Sequence, residues 1–281
     1  MNLSLPVSNK IAVLIVSCDK SSDVWELFFN LFRRFWGDCP FKVYFLSNRN
    51  SPHIHGVTDL LVGEDISWSD NLLIGLEQIS EEYIFMLLED LFLCDFVNNT
   101  EVIQVFEWAS SYGANCVKMN CYGERFHLSR LLCTNEFNDF AKIIPPYVFK
   151  AQYRVSTVAT LWKKEFLKIL LKPGESAWQF EKNGQKRSSR YGNLFLTKKN
   201  YFPIANGVMR GKWRPRVVKR LNEIGVFPDL KTRNLMSLRE SLYWDLKDIL
   251  HTSIMLIEAQ IFEIFSGRSF INIINTGTKG K

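Results

Sequence analysis

Two adjacent carboxylates, Glu89 and Asp90, end an apolar run from Tyr83 to Leu88, and the chain turns apolar again from Leu91 to Leu93. A β-rich run of this length suits a strand buried on both faces of a largely parallel sheet. Open α/β sheets bind ligands outside the carboxyl ends of such strands, so an acidic pair there is placed for chemistry on a bound ligand. A solvated strand end or a helix cap is the plain alternative.

The elements that must position this pair can be read on either side of it. Ile11 to Ser17 predicts a first buried strand, and Ser17 to Asp23 supplies N-cap candidates for an amphipathic helix from Val24 to Trp36. Strands are expected at Lys42 to Ser47 and Thr58 to Val62, and a helix at Asn71 to Ile79 leads into the acidic strand. This alternation is that of an α/β nucleotide-binding half. No Gly-x-Gly-x-x-Gly follows the first strand and no Gly-Lys-Ser/Thr occurs, which disfavours a dinucleotide fold and a P-loop.

Further along, a helix near Thr100 to Tyr112 stops at Gly113, and strands are expected at Asn115 to Asn120, Thr157 to Trp162 and Tyr201 to Ala205. Ser129 to Tyr153 is irregular. Lys163 to Leu171 reads as a short helix ended by Pro173-Gly174, Glu175 to Glu181 as a helix start, Gly184 to Arg190 as a polar basic loop, and Asn206 to Arg216 as a basic loop containing glycines. From Val217 the pattern becomes helical. Residues 1–216 are therefore expected to form one domain and 217–281 a helical extension.

The 281 residues are 47% hydrophobic, enough for a sizeable core. Six cysteines and four histidines show no metal-ligand spacing, which favours reduced thiols and a cytoplasmic setting. The N-terminus has no signal-peptide pattern, and no run is long enough to span a membrane. The net charge of +6 is unevenly spread: residues 1–100 carry 6 Lys+Arg against 14 Asp+Glu, while residues 142–220 carry 19 against 3. A basic half this strong points to a polyanionic ligand or an anionic surface. It fits nucleic acid less well, because no recognised binding motif is present.

Four pieces in order, IAVLIVSCDK, WSDNLLIGLEQISEEYIFMLLEDLFL, YRVSTVATLWKKEFLKILLKPGESAWQFE and NGVMRGKWRPR, resemble GT-A type glycosyltransferases of bacterial capsule and O-antigen gene clusters. The resemblance covers about residues 10 to 216. It implies an α/β, GT-A-like nucleotide-sugar-binding sheet with helices on both faces, followed here by a C-terminal helical extension. It further implies a nucleotide-sugar donor, a glycan or lipid-linked glycan acceptor, no organic cofactor, and work at the inner face of the cytoplasmic membrane. The usual Asp-x-Asp motif of that fold is altered, since Phe92 stands at the second carboxylate position. Magnesium or manganese held by Asp90 remains open, as does metal independence with Arg210, Lys212, Arg214 and Arg216 neutralising the diphosphate beside Gly207 and Gly211.

Sugar transfer with inversion requires one carboxylate to take the acceptor proton. Glu175, lifted from the preceding helix by Pro173-Gly174, is the first candidate, Glu181 the second, with Asp90 facing the donor. By the same resemblance Cys18, Asp19, Trp68 and Ser69 fall where the fold binds base and ribose, and Glu89 joins Asp90 among the donor-binding residues. Two other classes stay open: a nucleotidyl or phosphosugar transferase, and a non-catalytic membrane-surface or glycan-binding partner in polysaccharide assembly. Ser237 to Phe265 places Leu242, Leu246 and Ile249 near helical spacing with charges between them, a stripe fit either for packing or for docking on an anionic membrane.

Overall fold

The computed structural model describes residues 9–120, 138–144 and 154–244, together with 246, 247 and 250. Its centre is an eight-stranded sheet ordered β3-β2-β1-β4-β8-β6-β9-β7. The strands are β1 (Ile11–Val16), β2 (Lys42–Ser47), β3 (Val57–Leu61), β4 (Tyr83–Leu88), β6 (Cys116–Lys118), β7 (Ala141–Ile143), β8 (Thr160–Lys163) and β9 (Leu194–Thr197). The first four are parallel, β8 is antiparallel between β4 and β6, and β7 is antiparallel to β9. The α/β class with helices on both faces, expected from the sequence, is what the structure has.

The unbroken hydrophobicity of β1 and β4 follows from period-2 burial on two faces. Val13, Ile15, Phe85 and Leu87 enter one core with helices α1 (Trp25–Trp36) and α3 (Asn99–Tyr112). Ala12, Leu14, Val16, Ile84 and Met86 enter the other with α2 (Trp68–Glu77), α4 (Lys164–Leu170) and α5 (Ala177–Ser188). Caps fix the helix starts: Ser67 accepts from Asp70 N–H on α2, Asn98 from Glu101 N–H on α3, and Ser176 with Gln179 forms a capping box on α5.

Where the chain departs from expectation, packing is the reason. Gly184, Lys186 and Arg187 lie within α5 rather than a loop, and Gly184 seats the helix against Val155, where a Cβ would crowd the valine; Arg190 follows the helix end. Leu91–Leu93 forms a strand of its own, β5, pairing antiparallel with β10 (Ile204–Asn206). The expected basic loop is largely a hairpin of β11 (Val208–Met209) and β12 (Lys212–Trp213). Its two turn residues, Arg210 and Gly211, have φ of 51° and 76°, the positive pair a tight hairpin requires.

Residue 217 falls inside α6 (Pro215–Glu223), whose Val217, Val218 and Leu221 are buried in the same core as α1 and β1. The packing therefore does not change at that position. Helical structure is present at 238–244, and the remainder of the helix expected to reach Phe265 lies mostly outside the described residues, as does most of Ser129 to Tyr153.

Candidate active site

Chain direction places the acidic pair. β1 sends the chain outward through β2 and β3, and β4 then returns to its other side, so strand order reverses between β1 and β4. Their register runs from Ile11 opposite Tyr83 to Val16 opposite Leu88. The next residues, Ser17-Cys18 and Glu89-Asp90, thus emerge together at the switch point, where α/β sheets bind ligands.

A cleft of about 230 Å³ opens there. Glu89 and Asp90 line it with Leu88, and the 3-10 turn Asp19–Val24 contributes Ser21 and Val24. The start of α5 adds Ala177, Trp178 and Glu181, together with Thr157 from the segment before β8. The β10 to β11 region adds Asn206, Val208, Met209, Arg210 and Gly211, and Arg233 reaches in from beyond α6. Asp90 is tied to that region by the Gly207 N–H, which donates to its carbonyl at 2.8 Å. Phe92 is fully buried and stacks on Trp213 at 5.5 Å between centroids. Phe92 is therefore a core anchor. Gly207 serves the same packing, since a Cβ there would overlap the Phe92 ring.

Burial raises the Glu89 carboxyl above its ordinary range. Burial, then repulsion from Glu89, raises Asp90 as well. Arg233 offsets both from a fixed position, because its guanidinium is held by Asp23 at 2.7 and 2.9 Å. Two buried oxygens of the cleft, Asp90 Oδ1 and Asn206 Oδ1, have no hydrogen bond among the described residues. Asp90 lies in the turn between β4 and β5, and Asn206 pairs with the next residue, Leu91. No group of three or more His, Cys, Asp or Glu side chains is placed to hold a metal ion among the described residues. Glu89, Asp90 and Asn206, completed by ligand oxygens, nonetheless offer the hard donors that magnesium or manganese takes.

Glu181 is buried and uses Oε1 as a staple, accepting from Thr157 N at 2.7 Å, Thr157 Oγ1 at 3.0 Å and Ser156 Oγ at 3.3 Å. Burial raises its carboxyl, against the downward pull of those bonds. Glu175, the first candidate for the base, is placed differently. It is absent from the cleft lining, and its oxygens accept from Arg187 at 2.8 and 2.6 Å and from Asn183 at 2.8 Å. Burial would raise its carboxyl, but these bonds outweigh it and leave it lowered.

Other expected donor residues act one step back from the cleft. Asp19 accepts from the N–H groups of Asn48, Arg49 and Asn50, clamping the end of β2 to that of β1. Cys18 is half-buried, and burial and then Glu89 raise its thiol. Trp68 packs on Phe180 at 5.3 Å. Ser69 is fully buried and accepts from Glu175 N while donating to the Lys172 carbonyl, so it grips the loop before α5. Lys212 pairs with Glu240 at 2.6 Å, outside the cleft lining, whereas Arg210 lines it and stacks over Trp244 at 4.3 Å. Sequence reasoning had no signal for Arg233 or Asn206, whose positions come from contacts distant along the chain.

No protein-family model matches this chain, and no curated protein matches it. Among solved structures, residues 1–349 of Staphylococcus aureus TarS superpose with a TM-score of 0.45 at 12% identity, over 69% of this chain and 59% of that one. The same fragment in complex with UDP-GlcNAc gives 0.43 at 11% over 69% and 57%, and in complex with UDP 0.45 at 12% over 69% and 59%. The chain thus spans less than two thirds of the length of that fragment.

A pair of substitutions separates the two kinds of carboxylate. Glu175→Gln should lower stability at neutral pH by about 1.5–3 kcal/mol, the contribution of hydrogen bonds to a charged group. Its lowered carboxyl gives stability that is present above the unfolded pKa and lost as pH falls through the folded one. Asp90→Asn should do the reverse. A raised carboxyl costs the fold above the unfolded value, so removing the charge should raise Tm at neutral pH by about 2 °C or more and change little near pH 3. Thermal unfolding of both variants from pH 3 to pH 8 tests this, and a destabilised Asp90→Asn at pH 8 contradicts the electrostatics.

Proposed function

We propose that this protein is an inverting glycosyltransferase that moves a sugar from a nucleotide-sugar donor to a glycan or lipid-linked glycan. The observation that carries the reading is the cleft itself. At the switch point of a nucleotide-binding type of sheet, it combines two carboxylates and two unsatisfied oxygens with the fixed guanidinium of Arg233 and a buried glutamate. A nucleoside diphosphate needs its charge offset, which Arg233 and Arg210 can do directly. Glu89, Asp90 and Asn206 would hold a magnesium or manganese ion, which when bound would supply further positive charge to the diphosphate.

In this reading Glu181 is the general base. Its Oε1 holds the loop at Thr157, while Oε2 carries no hydrogen bond among the described residues. The acceptor oxygen attacks the anomeric carbon, the carbon–oxygen bond to the diphosphate breaks with its electron pair leaving on the phosphate, and Glu181 takes the hydroxyl proton. A nucleotidyl transferase has no need of a general base on the acceptor side of the cleft, where Glu181 stands.

Peripheral membrane attachment belongs to the same proposal. Glu240 binds Lys212 and Trp244 receives Arg210, so these two residues are turned to the β11–β12 hairpin. Leu238, Leu242, Leu246 and Leu250, four residues apart, are 61–76% exposed. An apolar stripe turned outward beside a strongly basic half suits an anionic membrane. No helix among the described residues is long and apolar enough to cross one.

Three measurements test the proposal. Nucleoside diphosphates and nucleotide sugars, screened with and without manganese, should raise Tm, since a ligand that binds only the folded state stabilises it. If none does, the donor site is misassigned. Glu181→Gln keeps an acceptor for Thr157 and should leave this Tm rise intact while lowering transfer by about 10²- to 10⁴-fold. Because the base must be ionised and burial raises its carboxyl, the wild-type rate should climb with pH on a limb above the ordinary carboxylate range, and the variant should lose that limb. Finally, the full-length protein should sediment with phosphatidylglycerol vesicles at low salt, and Leu242→Ser with Leu246→Ser should not. A wild type that ignores the vesicles refutes attachment, and loss of self-association in the double variant would make the stripe a contact between copies.

A further inference from the structure

A large aromatic ring contributes most when it is buried, and this chain buries Trp36, Trp162 and Trp213 to 2% exposure or less. Trp178 does not follow them. It is 65% exposed, and it lies in the first turn of α5 on the lining of the cleft. Its position is nevertheless held firmly. The capping box of Ser176 and Gln179 fixes the helix start, and Ser69 and Asp70 grip the preceding loop through Glu175 N at 3.0 Å and Gly174 N at 2.8 Å. A rigidly mounted but solvated aromatic ring forgoes burial that the core could have given it.

Its spacing says what it faces. Trp178 and Glu181 are three residues apart on one helix, hence neighbours on one face, and both line the cleft. The acidic pair, Asn206 and the end of β1 belong to the donor side by the switch-point rule. The helix face that carries the proposed base must receive the acceptor. A pyranose presents a face of C–H groups with partial positive charge, and the indole presents a negative π face to match.

Building on the glycosyltransferase reading, we infer that Trp178 is the acceptor platform, stacking a sugar ring so that one of its hydroxyls is presented to Glu181. The residue positions the acceptor and takes no part in proton or bond transfer. It also selects for an acceptor with an unobstructed C–H face.

The test uses the full-length protein with Trp178→Ala and Trp178→Phe, and methyl glucoside, methyl galactoside and methyl N-acetylglucosaminide, in both anomers, as acceptor probes. Trp178→Ala should leave the Tm rise with nucleoside diphosphate and the hydrolysis of donor by water within about 2-fold of wild type. The acceptor KM should rise about 10-fold or more, with most of the loss recovered in Trp178→Phe because a ring remains. Independently of turnover, millimolar methyl glycoside should perturb the wild-type indole emission more than that of Trp178→Ala. If nucleotide affinity falls instead, the ring is a platform for the nucleobase and the proposal is overturned. It is equally overturned if no glycoside distinguishes wild type from Trp178→Ala in emission or KM. Failure of the glycosyltransferase reading would show differently, as absence of nucleotide binding and donor hydrolysis in the wild type.

Discussion

Everything about the cleft follows from placing two like charges side by side against the end of a buried sheet. Glu89 and Asp90 are driven toward their protonated forms by burial, and Asp90 further by its neighbour. A fold selected for stability alone would avoid the arrangement, because adjacent carboxylates shielded from water are costly. The chain tolerates it through devices that leave Asp90 Oδ1 available. Arg233 stands by as a counter-charge, itself held by Asp23, while the backbone of Asp90 is tied to Gly207. Such a pair is suited to receiving positive charge or donor groups from a ligand.

Phe92, two residues after Asp90, serves architecture where its neighbours serve the cleft. Phe92 fills the space between β5 and Trp213, and Gly207 exists as glycine to admit its ring. That packing holds the hairpin whose tip carries Arg210, so the cleft wall gains a cation through the seating of Phe92. Asn206, on the strand paired with β5, puts an amide oxygen beside Asp90 without adding charge.

The carboxylates of the α5 region divide into separate roles. Glu175 is consumed by Arg187 and Asn183 in bracing the helix start, and Glu181 braces the Thr157 loop with one oxygen only. Ser69 and Trp68 belong to the same bracing layer, through the loop at 172–175 and through Phe180. The two carboxylates are therefore distinguished by what already occupies them more than by where they stand in sequence.

The sequence by itself determined the α/β class, the buried β1 and β4 strands and the location of Glu89-Asp90 at a strand end, because these depend on runs of hydrophobicity and on local caps that a short window contains. It also marked Arg210 through a local cluster of positive charge, and Glu181 as the second candidate base that the resemblance implied. Tertiary structure alone decided that Glu175 braces and Glu181 lines the cleft, since the difference lies in Arg187 and Thr157, partners reached only by folding. It alone carried Arg233 across 210 residues to Asp23, and turned a basic loop into a hairpin packed on Phe92. Local sequence specifies which residues can form an element, but the partners that occupy or leave free a charged atom are set by contacts distant along the chain, and those choose which carboxylates remain for chemistry.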